Sequence, residues 1–487
     1  MNLNDWEGRV TKKTLKNGLT VLVVERHDVP TVSFVTYAKV GSVDEVVGIT
    51  GMAHMFEHMA FKGTTTIGTK DAQAEQKLLD EMEGVYDQLK TEKRKGPQMD
   101  RVKVEQLSTQ FRLLIEEASR YATNEFDRAI EQAGAQGLNA YTSVDQTVYH
   151  YSLPSNKLEL WMALESDRFL NPVLRDFYKE RNVVMEERRR SYEDRPSGKL
   201  YLQVLNLAFE AHPYGVGTIG HMSDLQTITR REAETFYRAH YTPDNLVIVI
   251  AGDVEPKATL AMAEEYFGRL PARTAPQTDV ETVEPVQQGE KRLTLELVFQ
   301  PSLLMAFHVE GGATHPDWAV YEVLSNILTG GRTSKLERLL VQQKQLATSV
   351  GSWVGPGRRY PGLLMFSVSP APGKPTETVE AALNEALEAV GRDLVDAETL
   401  EKAKKQEVVS VLKSLNNNHA LASLVAYAEA LWGDWHEGFK GLDRIQAVTA
   451  EDVRRVAAKT FTAKNRTVGT IKPVKITKNA PHKKGSK

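Results

Sequence analysis

The chain repeats itself, and the repeat constrains its fold more than any other feature. Leu225, Gln226, Ile228, Thr229, Thr242 and Asn245 return as Ile445, Gln446, Val448, Thr449, Thr462 and Asn465, at a constant offset of 220 residues. In each copy a threonine stands ahead of an acid-containing first turn, as a helix N-cap does. An asparagine then precedes an apolar strand, Leu246–Ile250 or Arg466–Ile471. The front of each half matches as well: the alternating run Thr31–Gly41 returns as Ser302–Gly311, at an offset of about 270. The offsets differ by about 50 residues, so the first half carries an insertion of that size or the second a deletion.

Two similar halves that alternate strands with helices make a duplicated α+β unit rather than a solenoid. Each is expected to be an α/β sandwich, a mixed, mainly antiparallel sheet packed by helices. This reading puts the first half at 1–270, a linker rich in Pro, Thr, Gln and acid at 271–290, and the second half at 291–475. A short basic tail at 476–487 is expected to be disordered.

The extra residues fall at 70–123, a highly charged stretch. Its apolar residues Leu78, Met82, Val85 and Leu89 step by three and four, break at Lys95-Gly-Pro-Gln98, and resume at Val104, Leu107, Phe111 and Leu114. That pattern predicts an inserted antiparallel helical hairpin. The charges suit a solvated structural arm, with contact to a partner or substrate as the alternative.

Composition narrows the chemistry. The chain of 487 residues has no cysteine, which removes disulfides, iron–sulfur clusters, thiolate zinc sites and thiol nucleophiles. A metal must be held by His, Asp or Glu. Sixty-one basic residues against 64 acidic ones give no charge-based case for nucleic acid. No apolar run approaches the length of a membrane span, and the first residues do not read as a signal peptide.

The informative stretch is Gly51-Met-Ala-His54-Met-Phe-Glu57-His58-Met-Ala-Phe-Lys-Gly63, apolar and suited to a buried helix. There His54 and His58 lie one turn apart on one face, so two imidazoles can converge on one ion. Glu57 sits at the edge of that face, where it can take a proton from water without being a ligand. The plain alternative, two core histidines on a buried helix, leaves three polar side chains without stated partners, a costly arrangement. A catalytic zinc site wants a third protein ligand. Glu180-Arg-Asn-Val-Val-Met-Glu186-Glu187 is the best source. Spacing puts Glu180 and Glu187 two turns apart on one face, but does not choose among Glu180, Glu186 and Glu187.

His-x-x-Glu-His followed by Phe-x-Gly-Thr and then Glu-Arg-x-x-Val-x-x-Glu resembles the inverzincin, or pitrilysin-type, zinc metallopeptidases. The branch containing mitochondrial processing peptidase and its bacterial two-domain relatives is the most similar. The resemblance also covers Asn17–Val21, Lys39–Glu45, Gly137–Ser143, Asp145–Tyr149, His212–Gly215 and Tyr241–Asp253. It implies a zinc-dependent endopeptidase acting on extended or unfolded peptides, with one zinc ion per chain. His54, His58 and Glu187 become zinc ligands, Glu57 the general base and Glu180 a support behind them. Asn139, Ala140 and Tyr141 fall on the edge strand along which the family binds substrate by β-augmentation.

Two departures stand out. Between His58 and Glu187 lie 128 residues, more than the family's usual spacing by about the length of the hairpin, so the insert leaves the motif whole. In the second half the family's active members carry an Arg and a Tyr seven residues apart; here Val341 and Thr348 stand at those places. The resemblance therefore implies the catalytic subunit of a heterodimer whose homologous partner supplies that pair, or otherwise a homodimer. The alternative is a non-hydrolytic scaffold or peptide-binding subunit of the same family. Relatives of this branch favour a periplasmic location over a cytoplasmic one. Gly215-Val-Gly-Thr-Ile-Gly220 has a nucleotide-loop spacing but follows no strand, and reads as an ordinary loop.

Overall fold

The computed structural model describes residues 6, 8–274 and 279–474, so the expected tail at 476–487 lies outside the described residues. Among them, no helix is long and apolar enough to cross a membrane. The first sheet contains β1 (Val10–Thr14), β2 (Thr20–Glu25), β3 (Thr31–Ala38), β4 (Gln136–Thr142), β5 (Thr147–Pro154) and β6 (Leu246–Gly252), in the order β1-β2-β6-β3-β5-β4. Only β2 and β6 run parallel. Strand β6, Leu-Val-Ile-Val-Ile-Ala-Gly, is buried at every residue, as an unbroken apolar run in a central strand should be. Strand β4 is mostly exposed and forms an edge.

The helices that matter for the site are α1 (Met52–Met59), α2 (Ala72–Arg94), α3 (Arg101–Ala118), α4 (Phe177–Arg188), α5 (Pro196–Ala208) and α6 (Arg230–His240). Helices α2 and α3 are the inserted hairpin. Asp71 and Asp100 cap their first turns, each carboxylate accepting two backbone N–H groups. The hairpin's base is closed where Thr69 bridges Ala122 and the Lys70 amide donates to the Tyr121 carbonyl at 3.0 Å. Its seam is Leu79, Met82, Val85, Tyr86 and Leu89 against Leu107, Phe111 and Leu114. Leu79, not the expected Leu78, takes the buried position. Glu75, Glu83 and Glu92 are buried too, which does not fit the picture of a solvated arm.

The second sheet, β7 (Lys291–Leu297), β8 (Ser302–His308), β9 (Ala347–Gly355), β10 (Leu363–Pro370) and β11 (Arg466–Pro473), has the order β7-β11-β8-β10-β9. It copies β2-β6-β3-β5-β4 strand for strand, with the single parallel pair in the same place. Two further helices complete the comparison, α7 (Asn418–Trp432) and α8 (Ala450–Thr460). Thr229 and Thr449 cap α6 and α8 with reciprocal bonds to Glu232 and Asp452. The Asn245 amide donates to the carbonyls of Lys39 and His240 at 3.2 and 2.8 Å. Asn465 does the same to His308 and Thr460 at 2.9 and 3.0 Å. Both sequence offsets are thus repeated in hydrogen bonds.

The chain forms two compact units, and they do not follow the linker. The first comprises residues up to Arg188, Val216–Thr282 and Val409–Asp443; the second comprises Arg189–Gly215, Val283–Val408 and Arg444 onward. The segment 271–290 separates the strands of the two sheets but not the helices packed on them. Helix α7, from late in the chain, covers β3 and β6 in the first unit; Leu421, Ala422 and Val425 join a core with Leu22, Val35 and Val249. Helix α5, from the first half of the sequence, covers β7, β8 and β11 in the second unit. Periodicity identifies an apolar helix face but not the sheet that it will cover.

Candidate metal centre

Helix α1 is positioned before it begins. Gly51, at φ +89°, turns the chain into it. The buried Glu45 carboxylate accepts the amides of Gly51 and Ala53, both at 2.7 Å, in the first turn. Burial pushes the Glu45 pKa up to about 8, against the pull of those amides. Asp224 holds the preceding loop through the Thr50 hydroxyl at 2.7 Å and the Gly48 amide at 3.0 Å. Helix α4 ends beside the same loop, where Arg188 Nε donates to the Gly220 carbonyl at 2.7 Å.

These two helices bring three donors together: one ligand atom each from His54, His58 and Glu187, all within 4.8 Å of one another. The Glu187 oxygens lie 3.7 Å from His54 Nε2 and 3.4 Å from His58 Nε2. The two rings stand edge to face, centroids 4.9 Å apart. Glu57 reaches to 3.8 Å from His54 Nε2 but is outside the donor group. Glu180 meets the other nitrogen of His58, Nδ1, at 3.4 Å, and Lys62 Nζ at 2.7 Å. Tertiary packing therefore separates the three acids that spacing left open: Glu187 faces both imidazoles, Glu180 backs one of them, and Glu186 is not in the group.

Electrostatics suit a cation. Burial lowers the His54 pKa, favouring the neutral imidazole that a metal needs, while Glu187 and Glu57 pull the other way. Burial works against a charge on His58, but Glu180 and Glu187 outweigh it and hold its pKa up at about 9. Burial likewise opposes a charged Glu180, yet His58 and Lys62 bring it down to about 2. Two converging Nε2 atoms, a carboxylate facing both, and Nδ1 of one imidazole fixed by a second acid form a donor set that fits zinc.

The expected substrate strand lies close by. Helix α1 packs on β4 and β5. In register, Asn139 faces His150, Ala140 faces Tyr149, and Tyr141 faces Val148. Ala140 is buried on the face shared with Tyr149, whose hydroxyl lies 3.5 Å from the Phe56 carbonyl of α1. Asn139 and Tyr141 are exposed on the opposite face. No described strand covers the outer edge of β4. In the second unit Val341 lies in the helical turn Glu337–Gln343, and Thr348, in edge strand β9, donates to the Ser369 carbonyl at 3.3 Å. Sequence reasoning missed Asp224, Lys62 and Arg188, whose partners lie 32 or more residues away and leave no periodic signal, and Glu45, whose bonds to the Gly51 and Ala53 amides depend on how the intervening loop folds back.

A duplicated sandwich with a reversed His-x-x-Glu-His helix and a glutamate from a second helix is the arrangement of the inverzincin class. The chain belongs to peptidase family M16, the insulinase family: residues 20–84 and 111–221 match its peptidase domain, and 227–407 match the domain described as peptidase M16 inactive domain. The unmatched residues 85–110 fall within the hairpin. A relative named zinc protease PqqE, from Helicobacter pylori, is 25% identical over 469 residues, covering 94% of this chain and 92% of that protein. The crystal structure of a protease from Helicobacter pylori has the same fold, with a TM-score of 0.79 at 24% identity, covering 95% of this chain and 99% of that one. The periplasmic protease PqqL from Escherichia coli also shares it, at a TM-score of 0.70 and 18% identity; 95% of this chain aligns with only 47% of that one.

Proposed function

We propose that this chain is a zinc-dependent endopeptidase that hydrolyses extended or unfolded peptides, with His54, His58 and Glu187 as ligands and Glu57 as general base. One observation carries the reading: three donor atoms from two helices lie within 4.8 Å of one another, while a second carboxylate, that of Glu57, stands 3.8 Å from His54 Nε2 without joining them. A zinc ion held there would supply Lewis acidity, polarising a scissile carbonyl and acidifying water. Glu57 is in place to accept the water's proton and pass it to the departing amine. Glu180, 3.4 Å from Nδ1 of His58, would orient that ring and leave its Nε2 available to a zinc ion. The open edge of β4 offers backbone groups to a peptide of almost any sequence, and Asn139, Ala140 and Tyr141 line it.

The test is Glu57→Gln in the full chain, followed by metal content and hydrolysis of an unstructured peptide. The variant should keep about one zinc per chain and lose at least about a thousandfold in kcat. Normal hydrolysis by a zinc-loaded variant would show that Glu57 is not the base. Methylating the substrate backbone at alternate nitrogens should raise KM about tenfold; a uniform response would argue against β4.

Val341 and Thr348 support a further element of the reading, a heterodimer in which a homologous chain supplies the missing Arg and Tyr. The PqqL chain, about twice as long as the part matched here, supports paired halves as a working arrangement. They also keep open a second reading, a non-hydrolytic scaffold or peptide-binding subunit. Hydrolysis only when a homologous chain is added favours the heterodimer, hydrolysis alone removes the need for one, and none in either case favours the scaffold.

A further inference from the structure

Helix α4 has two working sides. One carries Glu180 and Glu187 toward the imidazoles. Tyr178 and Arg181 project from the other side into the inserted hairpin. The Tyr178 hydroxyl donates to Glu83 at 2.7 Å, and Arg181 Nη1 donates to the Tyr86 hydroxyl at 2.6 Å and to the Ile228 carbonyl at 3.0 Å. The rings of Tyr86, Phe111 and Tyr178 form a closed triad with centroids 4.9, 4.7 and 4.8 Å apart. The Arg181 guanidinium lies over Tyr86 and Tyr178 at 4.9 and 4.8 Å.

The start of α4 is held the same way. Arg175 grips Glu75 with two parallel bonds, Nε to Oε1 at 2.6 Å and Nη2 to Oε2 at 2.8 Å. Its remaining donors reach the carbonyls of Lys62 and Thr64, the latter at 3.1 Å. Those two residues belong to the chain that has just left α1. One buried guanidinium thus joins the hairpin, the exit of the helix bearing both histidines and the start of the helix bearing Glu187. Ser119, just past the hairpin's second helix, adds a bond to Asp176 at 2.7 Å.

Glu75 and Glu83 are 2% and 3% exposed. Carboxylates are buried this deeply only where partners compensate them: Arg175 stands two residues before α4, Tyr178 lies on it, and the Arg231 amide of α6 adds a bond to Glu83 at 3.3 Å. A solvated arm has no use for them. A metal site loses performance when a ligand strays by a fraction of an ångström, so rigid support behind the ligand helix has a direct chemical effect.

We propose that the inserted hairpin is a positioning device for the metal centre, with Glu75, Glu83 and Tyr86 locking α4 so that Glu187 meets His54 and His58. The inference rests on the zinc reading above. The test measures zinc affinity of the full chain by chelator competition, alongside peptide kinetics and thermal melting, for Glu75→Gln, Tyr178→Phe and an outward-facing control, Arg112→Ala. Glu75→Gln should weaken zinc binding about tenfold and Tyr178→Phe several-fold. In both, kcat at limiting zinc should fall and KM should stay within twofold, while Arg112→Ala matches the parent. Zinc affinity within twofold of the parent in both Glu75→Gln and Tyr178→Phe, even with lowered melting temperatures, overturns the proposal. If Glu75→Gln does not fold, the zinc affinity of Tyr178→Phe, which removes a single oxygen, decides the matter. A parent chain that binds no zinc overturns the zinc reading and this proposal together; a zinc-binding parent with unaffected variants overturns this proposal alone.

Discussion

Gly51 and Gly220 meet backbone to backbone: a Cβ on Gly220 would lie 2.3 Å from the Gly51 amide nitrogen, and one on Gly51 would lie 2.5 Å from the Ile219 carbonyl oxygen. Both glycines have positive φ, +89° and +77°. This crossing sets where α1 begins, and Arg188 ties α4 to the same loop through the Gly220 carbonyl. The two helices that carry His54, His58 and Glu187 are therefore registered against a shared stretch of backbone.

Replacing Gly220 with alanine forces a side chain into that contact and into a left-handed backbone. The expected cost is about 3 kcal/mol, and zinc affinity should fall with it. Denaturant titration and chelator competition check both. A Gly220→Ala chain as stable as the parent, with unchanged affinity, would mean that the crossing does not register the helices.

Glu180→Gln removes the charge behind His58 and its ion pair with Lys62. Zinc binding should weaken about tenfold, the low end for such a supporting acid, with little loss of fold. Equal affinity in variant and parent would show that His58 needs no support from this side.

Asp224 gives a pH-dependent prediction. Burial opposes its charge, but the bonds from Thr50 and Gly48 outweigh it and hold its pKa below the ordinary 3.8. A depressed acid adds stability that is present above its unfolded pKa and disappears as the pH falls through its folded one. Asp224→Asn should thus cost about 1–3 kcal/mol near pH 7, and parent and variant should converge as the pH falls below the ordinary 3.8 and through the depressed pKa of folded Asp224. A constant difference across that range would exclude the titration of Asp224 as its source.

Val425 lies 371 residues beyond His54 in sequence, yet it is fully buried in the core under the first sheet. Val425→Ala should cost about 2 kcal/mol. Hydrogen exchange should quicken at β6 amides while β11 is spared. Faster exchange confined to β11 would contradict the assignment of α7 to the first unit.

Much of the fold is legible in the chain. The offset of 220 predicts two matching helix–turn–strand blocks, and Asn245 and Asn465 make equivalent bonds in both. The step pattern at 78–114 predicts the hairpin, because three- and four-residue spacing reports a buried helical stripe wherever the helix lies. The charge in that hairpin reads as solvated, and for Glu75, Glu83 and Glu92 it is not. Local pattern cannot tell a free glutamate from Glu75 paired with Arg175, whose partner is 100 residues away.

By itself, the sequence determined the duplication, the hairpin, and the pairing of His54 with His58, since periodicity and one-turn spacing are properties of short segments. Only the tertiary structure decided the rest. It set Glu187, rather than Glu180 or Glu186, facing both imidazoles, sent α5 and α7 to sheets outside their own half of the sequence, and turned two acids of a charged arm inward behind α4. Those outcomes depend on which surfaces meet once apolar faces are buried and buried charges find partners, and that is settled by the packing of distant segments rather than by neighbours along the chain.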